Sequence, residues 1–214
     1  MAAVIAPALD AVLKHPGIWR RSAAAPSTVR ALPTGLAELD AQLPGGGWPF
    51  GALSEILFEY DGVGELSLVL PALAELTRRR QHVVFVTPPY VPYAPALAAH
   101  GLDLRYVVQI DAAADEGAWS AEQCLRSGSC GAVLGWLRQA DYTQLRRLQL
   151  AAESGEALAF LFRPAAAAAK ASPAALRLQL QVDDDGGAVD IDILKCRGNL
   201  DLRHSRRTRL RRRA

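Results

Sequence analysis

Residues 52–86, ALSEILFEYDGVGELSLVLPALAELTRRRQHVVFV, spell out a strand, a helix and a second strand. Ala52 to Phe58 is an apolar run of strand length, and Leu66 to Arg79 repeats its apolar residues at the 3.6-residue spacing of a helix. His82 then opens a continuous apolar run to Val86. The alternation continues downstream. Ala94 to His100 reads as a helix, Leu104 to Gln109 as a strand and Glu116 to Arg126 as a helix. Gly131 to Gly135 is again a strand, Asp141 to Ser154 a helix with Asp141 near its N-terminus, and Ala157 to Phe162 a strand. Strands joined by single helices need right-handed crossovers and a parallel sheet covered on both faces. The expected fold is therefore a doubly wound α/β domain with a mostly parallel sheet.

Pro164 to Pro173, with its run of alanines, breaks the pattern and reads as a connector. Beyond it Leu176, Leu178, Leu180 and Val182 alternate with polar residues, Asp183 to Gly187 supplies a turn, and Val189, Ile191 and Ile193 alternate again. This is a C-terminal β-hairpin with one buried face, expected to extend the sheet at an edge. On the N-terminal side, Pro7 to Lys14 reads as a helix ended by Pro16-Gly17, and Ser22 to Thr28 as a linker. A short helix from Leu36 to Leu43 runs into the loop Pro44-Gly45-Gly46-Gly47. The expected organisation is an arm and linker at 1–28, a core at 29–198 and a basic, disordered tail at 199–214.

Composition narrows the class. The chain has 214 residues, half of them hydrophobic, enough for one domain with a substantial core. Apolar stretches such as Leu66 to Leu76 are interrupted well before the roughly 20 residues of a membrane span. The leading MAAVIAPALDAVLKHPG carries Asp10 within its apolar part and no basic residue before it, which does not suit a secretory signal, so a cytoplasmic protein is expected. Cys124, Cys130 and Cys196 form no C-x-x-C pair, and the four histidines are scattered, so neither disulfides nor a metal site is expected. The last twelve residues, RHSRRTRLRRRA, hold seven arginines and no acid. The remainder carries 17 of the 24 basic residues against 22 acidic ones, a net charge of −5.

The segment Leu32 to Leu70, LPTGLAELDAQLPGGGWPFGALSEILFEYDGVGELSLVL, resembles the start of the core in the RecA recombinase family. There a turn of the form S-T-G, a helix with leucine and aspartate, a Gly-rich loop and a G-x-(I/V)-x-E-(I/L) strand lead into the phosphate-binding loop. The LPGGGWP stretch and the Gly17-Ile18-Trp19-Arg20-Arg21 segment resemble more closely the ImuA family of RecA-like accessory proteins of SOS-induced mutagenic DNA synthesis. The same region resembles the SulA family of cell division inhibitors more weakly. The ImuA resemblance implies a non-catalytic scaffold for translesion synthesis. Its partners would be the degenerate polymerase ImuB, RecA and DNA, with self-association a further expectation. The SulA resemblance implies instead an inhibitor that binds the tubulin-like division protein FtsZ. A residual nucleotide-binding enzyme is a third reading. The ImuA reading is the leading expectation.

A working phosphate loop follows G-x-x-x-x-G-K-[ST], with backbone amides cradling the phosphates, lysine on the terminal ones and the hydroxyl on magnesium. The equivalent stretch here is Phe58 to Ser67. In this stretch, which also holds Gly62, Gly64 can stand for the second glycine, but Phe58 or Glu59 replaces the first, Glu65 stands in the lysine position and Leu66 in the hydroxyl position, with Ser67 one residue late. Like charges ~4 Å apart repel by about 4 kcal/mol at an effective dielectric of 20. A helix N-terminus offsets only about 0.3–1 kcal/mol of that. The strand Gly131 to Leu134 ends on Gly135-Trp136, where an aspartate would hold metal, and Thr87-Pro88-Pro89-Tyr90 offers no catalytic carboxylate. Tyr93 falls where recombinases place a tyrosine near the base, although packing alone explains an aromatic there. Asp183-Asp184-Asp185 before two glycines reads as a solvated turn, and Asp190 and Asp192 as the wet face of a strand. No enzyme activity, cofactor or catalytic residue is expected.

Two further segments are candidate binding elements. The arm, through Leu9, Val12, Leu13, Ile18 and Trp19, is expected to bind a partner or another copy, with packing on its own sheet as the alternative. In the tail, Arg203, Arg206, Arg207, Arg209, Arg211, Arg212 and Arg213 are candidates for sequence-independent contacts to DNA phosphates.

Overall fold

Apolar strands flanked by amphipathic helices produce one eight-stranded sheet in the computed structural model, which describes residues 29–113, 115–183, 188–198 and 208–211. A short antiparallel pair, β1 (Ala31–Leu32) and β2 (Trp48–Pro49), precedes it, with the four-residue helix α1 (Ala37–Asp40) between them. The main sheet is built from β3 (Ala52–Phe58), β4 (His82–Val86), β5 (Val107–Ile110), β6 (Cys130–Gly135), β7 (Leu158–Pro164), β8 (Leu176–Val182), β9 (Ala188–Cys196) and β10 (Thr208–Arg211). Its spatial order is β10-β9-β8-β3-β7-β6-β4-β5. The six strands from β8 to β5 run parallel, while β9 and β10 are antiparallel additions at one edge.

Four longer helices cover the two faces: α2 (Glu65–Arg78), α3 (Ala94–Ala99), α4 (Gly117–Arg126) and α5 (Tyr142–Gly155). Every residue of β3 is buried, as a strand covered on both sides requires. Because side chains alternate along a strand, Ile56, Phe85, Leu134 and Phe160 face α2 and its Leu68, Leu73 and Leu76. Leu53, Val84, Val133 and Leu161 face the other way, toward Leu125 of α4 and Leu145 and Leu148 of α5. Asp141 starts α5 with a reciprocal cap: its side chain accepts the Gln144 amide at 2.8 Å, and the Gln144 side chain accepts the Asp141 amide at 3.0 Å. Gly155 lets α5 press on α4, since a Cβ there would lie 1.9 Å from the Leu125 carbonyl oxygen.

One polar knot lies inside this apolar framework. Glu55 of β3, fully buried, receives Arg163 of β7 at 2.7 Å and Arg177 of β8 at 2.5 Å. The two guanidinium groups also donate to the carbonyls of Ala140, Ala167, Ala168 and Lys170. The Pro164–Pro173 connector, which holds a 3-10 helix at Ala165–Ala169, is thereby tied to the central strand.

The doubly wound arrangement and the hairpin of β8 with β9 follow the sequence pattern closely. Three features differ. Leu104–Tyr106 is a 3-10 turn, so β5 begins only at Val107. The pair β1–β2 was not legible, because two-residue strands carry no periodicity. The tail, expected to be disordered from residue 199, supplies the edge strand β10 instead. In this strand Arg209 meets the acidic hairpin: it donates to Asp190 at 3.0 Å and lies 3.9 Å from Asp183. Thr208 is buried and accepts from Gln42 at 3.0 Å. The expected helix at Pro7 to Lys14 lies outside the described residues. Among the described residues no helix is long and apolar enough to cross a membrane.

Candidate functional site at the carboxyl edge of the sheet

In a parallel sheet the loops that follow the strands gather at one edge, where ligands and partners are met. Here those loops are residues 59–64 after β3, 87–93 after β4 and 136–141 after β6. The first is the stretch that the sequence reading compared with a phosphate loop. Gly62 and Gly64 sit at φ +88 and +103, the left-handed region that favours glycine, and aim their amides inward ahead of α2. The Glu65 carboxylate occupies the centre of this curl. Its Oε1 accepts the Gly62 amide and its Oε2 the Gly64 amide, each at 3.1 Å, and the side chain is buried.

The sequence reading treated Glu65 only as a repulsive charge. The structure shows a carboxylate that takes up two loop amides at the positive end of a helix. Leu66 packs against the core and Ser67 is exposed. Asp61 turns away from the curl and forms an ion pair with Arg138 of the 136–141 loop, tying the two loops together.

Where a metal-binding aspartate would follow β6, Trp136 is stacked on Phe162 at 4.6 Å and on Phe85 at 6.0 Å. Trp136 Nε1, Asp61 Oδ1 and Arg163 Nε are buried without a protein hydrogen-bond partner, and their residues line one small cavity of about 10 Å³. That volume suits about one water molecule. Among the described residues no three His, Cys, Asp or Glu side chains cluster as a metal site.

The outer rim of the same edge is aromatic. Tyr90, Val91 and Tyr93 are 73%, 81% and 72% exposed, and Tyr60, Trp119 and Tyr142 more than half exposed. Tyr60 leaves the loop after β3, and Tyr90, Val91 and Tyr93 the loop after β4. Trp119 stands in the first turn of α4 and Tyr142 begins α5. Between β3 and β4 lie β7 and β6, so the two loops are about 14 Å apart by the ~4.8 Å strand spacing. An open recess of about 710 Å³, lined by Thr87, Asp115, Ala118, Trp136, Arg138 and Gln144 among others, lies on this edge. Thr87 sits at its margin with φ +49, a strained backbone for a β-branched residue. The sequence reading singled out Tyr93 alone and for a different reason. The other five, Tyr60, Tyr90, Val91, Trp119 and Tyr142, in loops and first helical turns, were the missed signal.

The other candidates are dispersed. Leu9, Val12, Leu13, Ile18 and Trp19 lie outside the described residues, as do Arg203, Arg206, Arg207, Arg212 and Arg213. Arg209 and Arg211 belong to β10, on the far edge of the sheet from β4 and β5.

Comparison with known proteins bears on the function. The family model described as "SulA: Cell division inhibitor SulA" matches residues 51–159. A protein described as cell division inhibitor SulA from Edwardsiella piscicida is 35% identical over 101 residues, spanning 46% of this chain and 60% of that protein. One of the same description from Yersinia pestis (strain Pestoides F) is 30% identical over 115 residues, spanning 53% of this chain and 68% of that protein. Among solved structures, SulA from Pseudomonas aeruginosa matches with a TM-score of 0.44 at 22% identity, covering 52% of this chain and 97% of that one. The chain thus spans 60% of the length of the first of these relatives.

The family model and the sequence relatives overturn the leading expectation of an ImuA-like translesion scaffold, and with it ImuB, RecA and DNA as partners. The most specific part of that resemblance, LPGGGWP at residues 43–49, and the Gly17 to Arg21 segment precede the matched span. The stretch from Gly51 onward carries the relationship, and it includes the loop and strand ends described above.

Proposed function

The chain belongs to the SulA family of cell division inhibitors, and from that premise we propose that it is a non-enzymatic inhibitor that acts by binding FtsZ. The exposed aromatic rim carries the reading. Exposed apolar side chains gathered at one edge are a mark of protein interaction sites, and Tyr and Trp are enriched where binding energy concentrates. Tyr90, Val91 and Tyr93 on one loop, with Tyr60, Trp119 and Tyr142 nearby, offer such anchors, and the recess beside them offers a concave complement.

The core is taken as a RecA-like domain whose nucleotide chemistry is gone. Glu65 fills the amide curl with its own carboxylate, Leu66 removes the hydroxyl, and Trp136 stands beyond the strand end where an aspartate would hold metal. An incoming phosphate would have to displace a buried carboxylate that already holds two backbone amides. Steric blocking of FtsZ assembly, without a hydrolysis cycle, is the mechanism this arrangement suits.

The test is purified FtsZ with GTP, followed by light scattering and phosphate release. The full chain should lower both in proportion to its concentration. The double variant Tyr90→Ala/Tyr93→Ala should weaken the effect at least tenfold while melting normally, because both side chains are exposed and contribute little to the fold. Undiminished FtsZ assembly at a several-fold excess of the chain would refute the proposal. Calorimetric titration with magnesium-ATP should give no saturable heat.

A further inference from the structure

We propose that a groove at the opposite, amino edge of the sheet is the seat of this chain's own N-terminal segment, residues 7–21, docked in cis. The groove has a volume of about 600 Å³, and its walls include Leu43, Pro44, Phe50, Ala175 and Leu176. It is formed where β3 and β8 begin, beside the end of α5 and the turn after β9. A space of that size takes two or three large side chains.

Three observations identify the occupant. The described chain starts in the groove itself: Val29 and Arg30 line it, the Arg30 guanidinium lies 4.4 Å over the Phe50 ring, and Arg30 reaches Glu156 at 3.1 Å. The preceding residues 7–21, PALDAVLKHPGIWRR, carry apolar side chains suited to such walls in Leu9, Val12, Leu13, Ile18 and Trp19. They also carry Lys14, Arg20 and Arg21, for which Glu153 on the groove wall is a counter-charge, while Glu156 already pairs with Arg30.

Reach and concentration favour the cis arrangement. Trp19 and Val29 are ten positions apart, a reach of at most about 33 Å, ample for a groove that begins at Val29. A tether of that length gives an effective concentration in the millimolar range, so a second copy at micromolar concentration competes poorly. The groove lies at the opposite end of the parallel strands from the aromatic rim. Docking of the arm is therefore independent of the division-inhibitor reading.

Cysteine cross-linking in the full chain tests this. His15→Cys and Arg197→Cys place thiols in the segment and on the groove wall, in a chain that also carries Cys124→Ser, Cys130→Ser and Cys196→Ala, which removes the native thiol lining the groove. A short bismaleimide at micromolar protein should give a cross-linked single chain whose yield does not change on dilution. Adding Leu13→Asp and Trp19→Asp keeps the tether but removes the apolar anchors, and should lower the yield at least about fivefold. Equal yields with and without those two substitutions would show mere tethering and overturn the proposal. Cross-linked dimers that grow with concentration would assign the groove to a second copy, and would overturn it equally. Melting curves of each variant establish that the core is folded in every comparison.

Discussion

Replacing Glu65 by alanine should destabilise the chain by about 2–3 kcal/mol. The carboxylate accepts two backbone amides, each at 3.1 Å, and hydrogen bonds to a charged group are worth about 1.5–3 kcal/mol apiece. The full sum is too large, because Gly62 is exposed and water replaces much of what its amide loses. The half-buried Gly64 amide loses its partner outright, and the favourable charge at the start of α2 adds about 0.3–1 kcal/mol. Glu65→Gln keeps the shape and one acceptor but not the charge, so its cost should be smaller, about 1–1.5 kcal/mol. Glu65→Lys should be the worst of the three. It restores the residue type of a working loop but brings only donors to two inward-facing donors, with no phosphate between them. Urea denaturation of the full chain at constant slope measures the differences, and alanine should lower the melting temperature by roughly 4–12 °C for a domain of this size. Alanine within 0.5 kcal/mol of the parent, or lysine more stable than alanine, would show that the carboxylate is not what organises the loop.

Glu55→Gln should cost about 3–5 kcal/mol, since it leaves Arg163 and Arg177 buried with a partner that no longer carries charge; a change under 1 kcal/mol in denaturant would contradict the role given to the knot. Gly155→Ala should destabilise by about 1–3 kcal/mol in spite of alanine's better helix propensity, because the new methyl meets backbone at Leu125 and the two helices must separate. A stabilised variant would show that the contact yields freely. Burial pushes the thiols of Cys124 and Cys130 up from their ordinary value, so at any given pH below it the thiolate fraction is smaller than in an unstructured cysteine. Iodoacetamide should therefore label both more slowly than glutathione at pH 8, with the rate still climbing at higher pH; mass-spectrometric rates equal to glutathione's would refute this.

Local pattern alone determined the order of elements and the class of fold. Period-2 and period-3.6 signals are carried by nearest neighbours along the chain, so Ala52–Phe58 and His82–Val86 could be placed to the residue and α5 to within one. That Glu65 and Leu66 stand where a phosphate loop would carry lysine and a hydroxyl was equally legible, because a motif is a statement about sequence positions. What Glu65 does in their place was not. Its partners, the Gly62 and Gly64 amides, turn inward only because both glycines adopt positive φ ahead of a helix whose burial against the sheet fixes its start. The tail shows the same division. Seven arginines read as a solvated or DNA-binding run, yet Arg209 meets Asp190 across an edge that exists only once β9 has joined the sheet. The aromatic rim, too, is made of residues from Tyr60 to Tyr142 that no spacing rule connects. Parallel strand order brings their loops to one edge, and that order is set by long-range packing on both faces of the sheet.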